Sequence, residues 1–109
     1  MSIELDEQDQ KLVTLARSLL ARTSTGQTAA ARDGSGRTYV AAAVELPHLR
    51  LEALQAVVSA LVSAGGEGVE AVAVIGWSPT PDGVAAVRDL DAAAPIYLVD
   101  SSGAVTGRA

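Results

Sequence analysis

Between Arg37 and Val99 the apolar residues change their period again and again, and that alternation limits the folds open to the chain. Arg37–Glu45 reads as an extended run that Pro47 stops. Leu51, Leu54, Val57, Val58, Leu61 and Val62 then recur at helical spacing until Gly65 and Gly66 end the helix. Ala71–Ile75 is a continuous aliphatic run, which suits a strand covered on both faces. Val84, Val87 and Leu90 mark a shorter helix, and Ile96–Val99 follows Pro95 as a further apolar strand. Strand, helix, strand, helix, strand in that order builds a sheet with parallel crossovers and helices on its faces.

The flanks complete the pattern. Residues 1–8 are acidic and read as a frayed end, followed by a helix from about Gln8 to Ala21 on the stripe Leu12, Leu15, Ala16 and Leu19. Arg22–Gln27 is small and polar, a loop. Thr28–Arg32 and Arg37–Glu45 flank Asp33-Gly34, a hairpin signal because Gly accepts positive φ. Ala104–Thr106 closes the chain as a short strand. The expectation is one α/β domain over 1–109, three-layered α-β-α, with a mixed sheet of about five strands in the order α-β-β-α-β-α-β-β.

Composition removes several functions. Only 3% of the 109 residues are aromatic against 49% hydrophobic, so the core must be aliphatic. Eight basic residues face thirteen acidic ones, and the net charge of −5 repels phosphate backbones; with no basic cluster, nucleic acid is not an expected partner. The chain has no cysteine, which excludes disulfides and thiolate metal sites. The polar N-terminus is not a signal peptide, and no apolar run is long enough to span a bilayer. A cytoplasmic protein without a membrane partner is expected.

Ligands of open α/β sheets bind beyond the carboxyl ends of the strands. That edge collects Glu45, His48 and Glu52 after the second strand, and Ser78, Thr80 and Asp82 after the third. His48 and Glu52 stand four apart where a helix begins, and with Asp82 they would make a His/carboxylate metal site. The plainer account is a loop histidine and a carboxylate that favours the helix N-terminus, so neither metal nor cofactor is expected. Glu45 would hold a sugar hydroxyl or simply be solvated. Ser78 and Thr80 lack a histidine to activate them and suit turn and N-cap roles. No glycine pattern forms a phosphate loop. Trp77 serves equally as a contact residue or as core.

Four phrases carry a family resemblance. "ARDGSGRTYVAAAVE", "LEALQAVVSALVSAGG", "SPTPDGVAAVRDL" and "APIYLVDSSGAV" are similar, in this order, to the first hairpin, zinc helix, Ser-Pro-Cys-x-x-Cys turn and closing strands of the cytidine deaminase family. The likeness covers roughly residues 10–107 and implies that fold. It also implies a site that this chain has not kept. Family members hold zinc with His or Cys and two Cys, and move protons with a Glu that is not a ligand. Here Glu52 falls at the first ligand position, Leu54 at the proton-shuttling Glu, and Thr80 and Gly83 at the two cysteines; Ala43 replaces a ribose-binding Asn while Glu45 is retained. The resemblance therefore implies a catalytically inactive relative, an interaction or scaffold module with an unidentified protein partner. The alternatives are a nucleoside or nucleotide binder that does not hydrolyse, and an atypical hydrolase built on Glu45, His48 and Glu52. Family members assemble as dimers and tetramers, which implies a homo-oligomer. A helix without one charge from Ala53 to Gly66 independently needs cover on its outer face.

Overall fold

A computed structural model describes residues 4–109. Its ten elements are α1 (Glu7–Leu20), β1 (Gln27–Arg32), β2 (Thr38–Ala42), β3 (Val44–Leu46), β4 (Leu49–Leu51), α2 (Ala53–Ser63), β5 (Ala71–Gly76), α3 (Pro81–Arg88), β6 (Ile96–Val99) and β7 (Val105–Arg108). Five strands form one mixed sheet in the order β2-β1-β5-β6-β7, and only β5 and β6 pair in parallel. The three-layer α-β-α fold is as the sequence implies. Leu12, Val13 and Ala16 of α1 pack on one face with Ala30, Ala73, Ile75 and Val99. Leu54, Val57 and Leu61 of α2 and Val87 of α3 pack on the other with Ala29, Ala31, Val72, Val74 and Ile96. The run Ala29-Ala30-Ala31 is buried on β1, an interior strand between β2 and β5, where methyl side chains leave room for a helix on each face.

The N-terminal segment expected to fray is pinned from Asp6 onward. Of residues 1–8, 1–3 lie outside the described residues, but α1 begins at Glu7, and the Asp6 carboxylate caps it by accepting from the Asp9 amide at 2.8 Å. Asp9 is itself buried and accepts from the Tyr97 hydroxyl at 2.7 Å and from Arg32 at 2.9 Å. An acidic terminus thus supplies a structural ion pair. At its other end α2 stops as expected: Gly65 takes φ 79°, its amide bonds Val62 O, and the Gly66 amide bonds Leu61 O, the paired bonds of a Schellman ending.

Two turns depart from expectation. In the β1–β2 connection Gly36, at φ 91°, takes the left-handed conformation, not Gly34. Gly34 is needed for closeness, since a Cβ there would lie 2.7 Å from Glu67 O. Asp33 organises this loop, accepting from the Ser35 amide and hydroxyl, the Arg37 amide and the Tyr39 hydroxyl. The Ser35 hydroxyl is foremost among the donors that hold the Asp33 carboxyl well below the usual carboxylate range, against the opposing effect of burial. A carboxyl that is more acidic in the native state stabilises it above the ordinary carboxylate pKa and loses that contribution as pH falls. The urea midpoint is therefore expected to drop between about pH 6 and about pH 2, and the drop to shrink in Asp33→Ala; an unchanged acid limb in that variant would contradict the assignment.

The second departure concerns the segment before α2. Instead of one strand to Glu45 followed directly by a helix, the chain breaks at Ala43 and forms the separate β3–β4 ribbon around Pro47 and His48. Neither turn residue has positive φ. Proline cannot adopt it, so the turn types that match strand twist are closed, and the ribbon is only three pairs long.

Candidate functional site

β2, β5 and β6 run the same way, with β1 antiparallel between β2 and β5. Their carboxyl ends therefore share one edge with the amino end of β1, and the N-termini of α2 and α3 meet there. The residue that ties this edge together is Gln27, although the small, polar run Arg22–Gln27 points to a loop. It opens β1, is fully buried, and accepts from the Ala53 amide while donating to Trp77 O, both at 2.9 Å. Its carbonyl also accepts from the Ala43 amide. One side chain so satisfies the first amide of α2 and the carbonyl leaving β5, groups that would otherwise be buried without partners. A single glutamine ahead of an apolar run carries no local signal of such a role.

Beside it, Glu52, Thr80 and Gly83 converge from positions up to 31 residues apart. Glu52 is the N-cap of α2, its amide donating to Gln55 Oε1 at 2.9 Å. Its carboxylate accepts from the Thr80 amide at 2.8 Å and from the Thr80 hydroxyl. Thr80 is the N-cap of α3 with Pro81 in its first turn, as expected for that type, but its hydroxyl serves Glu52 and not its own helix. A Cβ at Gly83 would lie 2.6 Å from a Glu52 carboxylate oxygen, so glycine is what lets the carboxylate sit there. Leu54, the second residue of α2, is fully buried in the core and presents nothing to this cluster.

The other expected site residues divide. Glu45, Arg50, Glu52, Gln55, Trp77 and Asp82 line a common depression of about 300 Å³. His48 is not among them; it is exposed in the β3–β4 turn and not at the start of a helix, because the hairpin holds it away from Glu52. The His48–Glu52–Asp82 metal arrangement is therefore not assembled. Ala43 is buried, with its amide bonded to Gln27, and Ser78 is exposed in the loop after β5. Trp77 proves to be a half-exposed rim residue rather than core. Its indole N–H donates to Thr25 O at 3.0 Å, and its ring lies against Gly26, which takes φ 75°.

The zinc ion that the deaminase fold implies would need soft or imidazole donors here. The convergent set is one carboxylate already engaged by two donors, one hydroxyl and a glycine, and among the described residues no group of three or more His, Cys, Asp or Glu is placed to hold a metal. These residues do not fit zinc. Nor is any helix of the described residues long and apolar enough to cross a membrane.

Comparison with known proteins agrees with the fold. No curated protein matches the chain in sequence. Among solved structures it is similar to a glutamate-to-glutamine mutant of cytidine deaminase from Mycobacterium tuberculosis, with 22% identity, a TM-score of 0.68, and coverage of 87% of this chain and 85% of that one. It is also similar to cytidine deaminase from Mycobacterium leprae, with 20% identity, a TM-score of 0.65, and coverage of 93% and 92%. At these identities the likeness speaks for the fold. The cytidine deaminase-like family model matches residues 5–103. With the mixed five-stranded sheet, the helix order and nearly the whole length accounted for, the chain belongs to the cytidine deaminase-like family.

Proposed function

We propose that this chain is a non-deaminating member of its family that acts by binding, as an interaction or scaffold module. The observation that carries the reading is the engagement of Glu52 with Thr80 at the three positions where the family resemblance calls for zinc ligands. A carboxylate spent on two protein donors, next to a hydroxyl and a glycine, supplies neither a metal cage nor a free base. Leu54 at the proton-shuttle position adds no titratable group. What the edge retains is a well-supported surface: two helix N-termini locked to each other and to β1.

A second reading, a nucleoside or nucleotide binder that does not turn its ligand over, is favoured by the depression itself. It keeps Glu45 and a rigidly held Trp77 on one rim. An aromatic face beside hydrogen-bonding groups is a common way to hold a base.

Two measurements on the purified chain test these readings. Elemental analysis without chelator is expected to find zinc far below one ion per chain; stoichiometric zinc would overturn the proposal. Thermal unfolding with cytidine, uridine or their monophosphates at millimolar concentration then separates the two readings. No shift leaves the interaction module. A saturable rise in midpoint favours the binder, since a ligand that binds only the native state stabilises it by mass action.

A further inference from the structure

We propose that the depression at this edge receives an arginine side chain from an exposed basic segment of a partner protein, an inference that rests on the interaction reading above and names the partner's chemistry. The walls carry three carboxylates, Glu45, Glu52 and Asp82, against one cation, Arg50, an excess of two negative charges. Glu52 is spent on Thr80. Glu45 and Asp82 are exposed, and among the described residues no ion pair engages either one, although Glu45 faces Arg50 across the ribbon. Trp77 forms a further part of the wall. Its indole N–H is held by Thr25 O and its ring lies against Gly26, yet the residue stays 40% exposed. A fixed aromatic ring beside unspent carboxylates suits a guanidinium, whose plane stacks on the ring while its N–H groups reach the acids.

Charge selects the occupant. The N-termini of α2 and α3 would by themselves attract an anion, but a carboxylate of the chain, Glu52, already stands between them. A phosphate would meet the excess negative charge of the walls and the −5 of the whole chain. A neutral nucleoside gains nothing from that excess, whereas a cation does. The surroundings indicate that the cation arrives on a chain. A second hollow of about 540 Å³, lined by Glu45, Leu46, Pro47 and Arg50, shares Glu45 and Arg50 with the first. The two are therefore contiguous along the ribbon and together exceed what one side chain fills. A segment that places its arginine against Trp77 continues over Leu46 and Pro47, and the 55% exposure of Leu46 leaves apolar surface for it to cover.

Trp77 is the only tryptophan, so its fluorescence reports on the depression directly. The full chain is titrated at low salt with a capped peptide that carries one central arginine and a lysine at each end. A saturable change in Trp77 emission is expected by millimolar peptide, weakening as salt screens the charges. The same peptide with citrulline, the uncharged isostere, in place of arginine should bind at least tenfold more weakly. The double variant Glu45→Gln/Asp82→Asn should weaken the arginine peptide by at least as much, and both side chains are exposed, so the fold should survive. The pair Glu7→Gln/Glu67→Gln removes the same charge from exposed positions that precede α1 residue Asp9 and β5, at the opposite end of the sheet, and should leave binding within about twofold of wild type. No saturable change, a citrulline peptide that binds equally, or equal weakening in the two double variants overturns the site. None of these results touches the non-deaminating reading, which fails separately if the chain carries stoichiometric zinc.

Discussion

Incubated with cytidine or deoxycytidine at high protein concentration, the chain is expected to release no ammonia above the uncatalysed background. Hydrolytic deamination needs a hydroxide at neutral pH and a carrier that moves its proton to the ring nitrogen and the leaving amine. Bound zinc provides the first by lowering the pKa of water from 15.7 to about 7, and a positioned acid–base residue contributes about 10²–10⁴-fold more. Here the donor set at Glu52, Thr80 and Gly83 does not fit zinc, and two other acids of that edge, Glu45 and Asp82, stand on the walls of an open depression. The corresponding gain-of-function variant is equally informative. Leu54→Glu alone is expected to stay inactive, because its carboxylate would have no metal-bound water to deprotonate. Ammonia release that follows protein concentration and disappears in Glu52→Ala would show that the site works by chemistry other than that argued above.

The second large effect is on stability. Leu54→Ala is expected to cost about 2–5 kcal/mol, the range for truncating a buried leucine. Leu54 is fully buried on the α2 side of the sheet, in one cluster with Ala29, Ala31, Val57, Leu61 and Val72. Its alanine neighbours on β1 have no longer side chains with which to fill the void. Against a total stability of about 5–15 kcal/mol for a domain of this kind, that is a large fraction. Leu54→Glu should be at least as costly, since it buries an unpaired carboxylate where the cluster offers no partner. Urea unfolding measures both. A change under about 0.5 kcal/mol in Leu54→Ala would place the side chain at the surface and shift the register of α2.

The two results bear on one position from opposite sides. Leu54 is core, and where the family resemblance implies a proton-shuttling acid the chain packs a leucine; under the proposed function, a loss of chemistry has been converted into stability. This accords with the general finding that groups held for function are kept at some cost to the fold.

What the chain says by itself is whatever depends on neighbours within a few turns. The stripe Leu54, Val57, Leu61 and the double glycine after it specify α2 and its ending, because helical periodicity and a left-handed cap are local properties. The aliphatic run Ala71–Ile75 likewise announces a strand covered on both faces, which β5 is. The absence of cysteine and the single histidine bound the chemistry before any fold is known. Only the tertiary structure decided which strands are neighbours. β1 lies between β2 and β5 because it pairs antiparallel with both, and no short-range pattern encodes that order. The same holds for the site. Gln27 reaches Ala53 and Trp77 across 26 and 50 residues, and Glu52 meets Thr80 across 28. His48 and Glu52 are close in sequence yet separated, because the short ribbon around Pro47 turns the histidine outward. A hydrogen bond records which groups the folded backbone leaves in want of a partner, and that becomes definite only when the sheet and both helices are in place.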